Sequence, residues 1–136
     1  MAINDLSLGM TALLSTNFSL EEVTQFAMLS KDQNPIHLNE DFAKDTIFKK
    51  PIVHGILVSS LISALIANHL PGPGSIYKSQ QLNFIRPVFH SEEVTAKVTI
   101  TKLVIEKRIV ELETVVYKNG DEAEIVINGT AIIKLV

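Results

Sequence analysis

The feature that most restricts the fold of this chain is an apolar segment near its middle, residues 56–67. Its apolar side chains fall on nearly every side of a helix, so the rest of the protein has to cover that helix on most sides. It is too short to cross a membrane, which takes about 20 apolar residues. Two Pro-Gly pairs at residues 71–74 end it. The sequence therefore predicts a buried helix that opens at His54-Gly55 and runs to about His69.

The chain after this helix has the pattern of a β-sheet. Four long segments rich in β-branched residues are predicted as strands over residues 75–85, 92–106, 107–117 and 122–136. Asn119-Gly120 is a strong two-residue hairpin signal between the last two. In the second segment one face carries only apolar side chains, those of Val94, Ala96, Val98 and Ile100. We expect an α+β fold in which an antiparallel meander wraps around the apolar helix.

The first third of the chain is predicted to be mainly helical. A short strand is expected near residues 10–17. Ser19 and Glu22 have the spacing of a capping box and open a helix that ends before Asp32. Asn39 is expected to cap a helical turn with acidic residues in its first positions.

Length and charge narrow the class of protein. The 136 residues suffice for one domain, and we expect residues 1–136 to form it. A net charge of -3, with lysines and arginines spread along the chain, argues against a nucleic-acid partner. The absence of Cys excludes disulfides and thiolate metal sites and suits a reducing compartment. The N-terminus has no basic region of the signal-peptide kind, so we expect a soluble, cytoplasmic protein without a membrane segment.

The loop from Asp32 to His37 is the first candidate for chemistry. It places a carboxylate and an imidazole on either side of Asn34-Pro35, a dipeptide that stops a helix and favours a rigid turn. Both groups have to reach one proton or one water if they act together as acid and base. Taken alone, however, such a loop is more often an ordinary turn.

The start of the apolar helix is the second candidate. Free backbone N–H groups at Gly55 would stabilise an oxyanion, and the glycine allows a carbonyl group to approach. Gly55 could equally be a simple helix-start glycine, and His54 a buried histidine with satisfied hydrogen bonds. Asp32, His37 and His54 do not have a recognisable metal-ligand spacing, so no metal is expected. His69 and His90 are taken as ordinary loop or helix-end residues.

Several motifs, taken together and in order, resemble those of the MaoC-like (R)-specific enoyl-CoA hydratases. The first is Asp32-Gln33-Asn34-Pro35-Ile36-His37, followed by Phe42-Ala43 and by Pro51-Ile52-Val53-His54-Gly55. The likeness continues through Gly74-Ser75-Ile76-Tyr77, Leu82-Asn83-Phe84 and Arg86-Pro87-Val88-Phe89. It covers most of the chain from about Ser19 onward.

The resemblance implies a hot-dog fold, a homodimer whose sheets join, and reversible syn hydration of trans-2-enoyl-CoA to (R)-3-hydroxyacyl-CoA without a cofactor. By this likeness Asp32 and His37 match the catalytic pair, and Gly55 matches the residue whose backbone N–H polarises the thioester carbonyl. Asn34 matches a residue that helps to hold the site, and His54 is grouped with Gly55 and Asn34 as substrate-binding. We expect Asp32 to act as base toward water and His37 as proton donor, with coupled titrations.

Three other functions remain open on the same fold. They are a (3R)-hydroxyacyl-acyl carrier protein dehydratase, a hot-dog thioesterase and a non-catalytic acyl-thioester-binding subunit. Acyl chain length and pathway are equally open, and fatty acid oxidation, polyhydroxyalkanoate precursor supply and a biosynthetic gene cluster all fit. The intact pair of Asp32 and His37 argues against the binding subunit, because binding alone requires neither side chain.

Overall fold

In a computed structural model, which describes residues 1–136, the chain forms a five-stranded sheet and three α-helices. The helices and long strands agree with the predicted bounds to within two residues. Single 3₁₀ turns lie at Ile3–Asp5, Pro35–His37 and Ile105–Lys107. The strands are β1 (Thr11–Asn17), β2 (Ser75–Phe84), β3 (Glu93–Val104), β4 (Ile109–Lys118) and β5 (Asp121–Leu135), and the helices are α1 (Leu20–Ser30), α2 (Glu40–Ala43) and α3 (Gly55–Asn68).

The sheet is antiparallel throughout, in the order β1-β3-β4-β5-β2. The expected meander is therefore correct only for β3 to β5. β2 does not pair with β3, the next strand in the chain, but lies at the far edge beside β5, from Ser75 opposite Leu135 to Phe84 opposite Ile127. Residue alternation shows which segments are strands and which face is apolar, but it does not determine the neighbour of each strand.

The long helix α3 packs against the sheet and contacts β1, β2, β3 and β4. The predicted apolar face of β3 is buried beneath it, as expected. The cover is incomplete, because Ile56, Ser60 and Ser63 on the outer side of α3 are exposed. The buried side chains of α3 are Val58, Leu61, Ile62, Leu65 and Ile66. This arrangement confirms the α+β, hot-dog fold predicted from the sequence.

The predicted local signals are also present. Ser19 and Glu22 form both hydrogen bonds of a capping box at the start of α1, and the Asn39 side chain caps α2 by accepting from the Phe42 N–H. Asn119 and Gly120 have φ angles of 59° and 66°, as a type I′ hairpin turn requires. None of the helices is long and apolar enough to span a bilayer.

Candidate active site

The loop between α1 and α2 carries Asp32 and His37, and hydrogen bonds within the loop fix its shape. The Asp32 carboxylate accepts from the Asn34 N–H at 3.3 Å, and the Asn34 side-chain oxygen accepts from the Ile36 N–H at 3.2 Å. The 3₁₀ turn at Pro35–His37 follows directly. Asn34 thus contributes by capping this turn, which sets the direction in which His37 leaves the loop.

His37 is buried, and a backbone carbonyl determines its tautomer. Its Nδ1 lies 2.8 Å from the carbonyl oxygen of Ile52. Because a carbonyl oxygen only accepts, Nδ1 carries the proton, and Nε2 of the neutral ring is left as a free acceptor. Burial has the largest effect on the pKa of His37 and lowers it; the Ile52 hydrogen bond opposes that shift, His54 adds to it and Asp32 opposes it. At neutral pH His37 is therefore an uncharged base.

His54, the residue before α3, contacts both Asp32 and His37. Its Nε2–H donates to the backbone carbonyl of Asp32 at 2.9 Å, and its ring is stacked on that of His37 with centroids 3.8 Å apart. The ring of Phe26 packs edge-on against the His54 ring, with centroids 4.9 Å apart. His54 Nδ1 is buried and has no hydrogen-bond partner in the chain. One nitrogen of His54 is thus engaged in holding the loop, and the other is free.

Gly55 opens α3 with an unused backbone donor. No side chain caps the helix, and the Gly55 N–H donates to no group of the chain. A Cβ at this position would lie 2.7 Å from two ring atoms of Phe84, so only glycine lets Phe84 pack this closely. The first N–H of a helix, at the positive end of its dipole, is suited to bind a carbonyl oxygen that gains negative charge.

Asp32, His37 and His54 converge, with one possible metal-ligand atom from each within 4.8 Å of the others. An ion bound by imidazole lies close to the ring plane, about 2.0–2.1 Å from the nitrogen. The two stacked rings have planes only 25° apart, so one ion cannot lie near both planes at that distance. The geometry of this cluster is therefore unfavourable for a metal ion.

A cleft of about 400 Å³ opens beside Gly55. Most of its lining side chains are hydrophobic, and the only charged one is Arg86. Apolar clefts with a few convergent polar groups are the usual form of small-molecule sites. The lining comes from the start of α3, the end of β2 and β5, and it includes Ile52, Ile56, Phe84, Ile85 and Ile127.

Two partners of His37 were missed by the sequence analysis. One is the Ile52 carbonyl, which no sequence signal marks because every residue has one. The other is His90, which is not an ordinary loop residue: its Nε2–H donates to the backbone carbonyl of His37 at 3.1 Å. The sequence separation of 53 residues hid this contact, and only knowledge that residues 85–92 pass beside the loop would have revealed it.

A hot-dog fold with an Asp/His loop before a glycine-opened helix is the arrangement that the resemblance to the MaoC-like proteins implies, and comparison with known proteins agrees. The family described as "MaoC like domain" matches residues 9–124. This chain belongs to the MaoC-like family.

Two relatives and one solved structure show where the chain lies within the family. It is 45% identical to an (R)-specific enoyl-CoA hydratase of Aeromonas caviae over 99% of both chains. The solved structure described as the (R)-hydratase from A. caviae involved in PHA biosynthesis has a TM-score of 0.91 and 46% identity, covering 96% of this chain and 98% of the other. The chain is also 37% identical to a mitochondrial 3-hydroxyacyl-[acyl-carrier-protein] dehydratase of Arabidopsis thaliana, over 84% of this chain and 68% of the relative.

Proposed function

We propose that this protein is an (R)-specific enoyl-CoA hydratase, a hydro-lyase that interconverts trans-2-enoyl-CoA and (R)-3-hydroxyacyl-CoA, with residues 1–136 acting as one hot-dog domain. The observation that carries the proposal is the convergence of Asp32, His37 and His54, one polar atom from each lying within 4.8 Å of the others, directly before Gly55, whose N–H has no partner in the chain. Because Nδ1 of His37 donates to the Ile52 carbonyl, the Asp32 carboxylate and His37 Nε2 are the two proton acceptors available there. Hydration of a conjugated thioester needs both features, a base for water and a donor for the carbonyl oxygen. The hydratase relatives support the same substrate class.

The carbonyl of the substrate is polarised first in this mechanism. When the Gly55 N–H donates to the thioester oxygen, negative charge moves from the double bond toward that oxygen and C3 becomes electrophilic. Removing one such donor from an enzyme typically costs about 10²–10³ in kcat. The apolar cleft beside Gly55 would take a part of the thioester adjoining the carbonyl and exclude bulk water from it.

One water then adds across the double bond. It donates one hydrogen bond to the Asp32 carboxylate and one to His37 Nε2, and its oxygen attacks C3 while an O–H bond breaks. The proton passes to His37 Nε2, and the resulting imidazolium, stabilised by the Asp32 charge, returns a proton to C2 on the same face. The sum is H₂O added as OH at C3 and H at C2, which is syn hydration.

The order of proton transfer in this proposal differs from the sequence-based expectation of Asp32 as base and His37 as donor. The 2.8 Å hydrogen bond from Nδ1 to the Ile52 carbonyl supports the change. A neutral ring that donates through Nδ1 has no proton on Nε2 to give, so His37 has to accept before it can donate. Asn34 and His54 take part by holding the loop, and no metal or other cofactor enters any step.

A homodimer is part of the proposal. β2 pairs only with β5, and its other edge is open. An open edge strand is a ready template for a second strand, and large apolar side chains at its two ends are exposed, among them Ile76, Tyr77 and Phe84. We expect light scattering to give twice the mass of the 15.0 kDa chain.

The cytoplasmic location is likewise part of the proposal, since a cysteine-free chain has no need of an oxidising compartment.

The deciding experiment is hydration of crotonyl-CoA, followed by loss of absorbance at the enoyl-thioester band, with chiral analysis of the product. We expect turnover in the presence of EDTA and an (R)-3-hydroxy product. An (S) product, or no turnover by the folded dimer, would contradict the proposal.

A second candidate function has the same chemistry but a substrate whose acyl chain is attached to acyl carrier protein instead of coenzyme A. The Arabidopsis relative is named for an acyl-carrier-protein substrate, and the same chemistry would serve there in the dehydration direction. Parallel assays with crotonyl-CoA and crotonyl-acyl carrier protein distinguish the two. A strong preference for the carrier protein would replace the hydratase by the dehydratase.

A further inference from the structure

The segment Val88–His90, between β2 and β3, binds both halves of the candidate site. The Val88 carbonyl accepts from the Val53 N–H at 2.7 Å, next to the start of α3. Phe89 forms an isolated antiparallel bridge with Ile52, the residue whose carbonyl holds the His37 ring. His90 then donates to the His37 carbonyl. One short stretch of chain thus connects the catalytic loop with the helix start.

This segment is itself firmly anchored. The Glu92 carboxylate accepts from the Phe89 N–H at 2.8 Å and lies 3.4 Å from the Lys118 ammonium, with 11% of the Lys118 and 23% of the Glu92 side chain exposed. Lys118 also donates to the Pro87 carbonyl at 2.9 Å. Lys50 lies over the Phe89 ring at 4.7 Å. A largely buried, multiply bonded ion pair is costly to disturb, so His90 projects from a fixed base.

We propose that His90 is a positioning residue that sets the direction of the His37 imidazole. The inference rests on the proposed function, in which Nε2 of His37 transfers the proton. His90 is the only group in the chain that donates to the His37 carbonyl. Its bond fixes the peptide plane after His37, while the Ile52 carbonyl fixes the rotation of the ring. Together the two bonds determine where Nε2 points.

The donor function of His90 does not depend on its charge. Its Nε2 carries a proton both in the neutral tautomer that makes this bond and in the imidazolium. Glutamine can supply a comparable N–H from its side-chain amide, whereas leucine has similar bulk and no donor. A displacement of about 1 Å in a reacting group can cost about 10²-fold in rate, and we expect roughly a tenth of that from one lost positioning bond.

The kinetic test compares His90→Leu with His90→Gln. We expect His90→Leu to lower kcat on crotonyl-CoA about 10-fold with KM within about twofold, and His90→Gln to recover most of the loss. In a His37→Ala background the Leu substitution should have no further effect, because the two residues act as one unit. His69→Leu, at an exposed histidine after α3, is the matched control.

A second measurement does not require activity. Nitrogen-15 NMR of the His37 ring should show a protonated Nδ1 in the wild-type protein. In His90→Leu the peptide plane after His37 is released and Nδ1 moves away from the Ile52 carbonyl, so the ring loses the acceptor that fixes its tautomer and should show a mixture of tautomers. If wild-type protein fails to hydrate enoyl thioesters, the proposed function fails while this NMR comparison still decides the role of His90. Three results would overturn the inference. The first is a kcat of His90→Leu within twofold of wild type, and the second is a full loss of kcat from the same substitution in the His37→Ala background. The third is a nitrogen-15 spectrum of the His37 ring that is the same in His90→Leu as in the wild-type protein.

Discussion

The imidazole rings of His37 and His54 are stacked, with centroids 3.8 Å apart and planes inclined by 25°. Since His54 also donates to the backbone carbonyl of Asp32, one buried ring contacts both members of the proposed catalytic pair. Like charges at this distance repel, so His54 contributes to lowering the pKa of His37. His54 therefore helps to hold Asp32 and His37 in place and also helps to keep His37 uncharged.

Removing either proton acceptor should abolish most hydration while leaving the fold intact. Asp32→Asn keeps the shape of the side chain and loses its charge, and His37→Gln loses the titratable nitrogen. We expect each to lower kcat on crotonyl-CoA by about 10²–10⁴-fold, the range for acid–base groups. Asp41→Asn, at a side chain that is 92% exposed in α2, should change nothing. Near-normal turnover in either site variant, with unchanged circular dichroism, would refute the assignment.

The pH dependence should show an acid limb below the ordinary histidine value of 6.5. His37 is active as the neutral ring, and its pKa is lowered chiefly by burial, so activity should persist as pH falls until the ring takes up a proton. His54→Phe keeps the stacking area and removes one influence that lowers this pKa, so the acid limb should move to higher pH. Profiles of kcat/KM for the two proteins test this, and an opposite shift would contradict it.

The same lowered pKa predicts a dependence of stability on pH. An unfolded His37 binds a proton more readily than the folded one, so the free energy of unfolding should decrease as pH falls from about 6.5 through the lowered pKa. The His37→Gln variant should lack this component. Urea unfolding at several pH values measures both proteins, and parallel curves would show that His37 does not contribute.

Gly55 and Phe84 should behave as a coupled pair. The Cβ added by Gly55→Ala would lie 2.7 Å from the Phe84 ring, which lines the cleft and has room to turn into it. We expect stability to change by less than about 1 kcal/mol and the KM for crotonyl-CoA to rise, because the displaced ring enters the cleft. Phe84→Leu should partly restore KM in the Gly55→Ala background. Independent, additive effects of the two substitutions would argue against the coupling.

Gly129 in β5 should tolerate no side chain. A Cβ there would overlap the carbonyl oxygen of Gln81 in β2, so the edge strand would have to move. We expect Gly129→Ala to cost about 3 kcal/mol or more, against less than about 1 kcal/mol for Thr130→Ala at the next position. Urea unfolding monitored by circular dichroism measures the difference. Equal free energies of unfolding for Gly129→Ala and Thr130→Ala would show that β2 can move away from the added Cβ at little cost.

The sequence predicted those parts of the fold that local patterns determine. The capping box at Ser19, the turn at Asn119-Gly120 and the bounds of α3 depend on neighbouring residues, and all three are present. The place of β2 beside β5 depends on contacts between distant residues. No periodicity within β2 encodes that choice, which explains why the expected meander was wrong there.

The candidate site shows the same division. Asp32, His37 and Gly55 were identified from motifs, and the structure brings the first two close together, with Gly55 directly after the His54 that touches both. The tautomer of His37 was not predictable, because it is set by the Ile52 carbonyl, a group common to all residues. The contact of His90 was hidden for the related reason that it reaches the backbone of His37 rather than its side chain.

The hydrogen bonds that position His37 and the start of α3 have a consequence for divergence within the family. The acceptors at Ile52 and Val88 are main-chain carbonyls, whereas the side chains of these two residues line the cleft. Substitutions there can reshape the space offered to the substrate while the reacting groups keep their coordinates. Substrate range can therefore evolve separately from the chemistry, and these two positions are the natural first targets for redesigning selectivity.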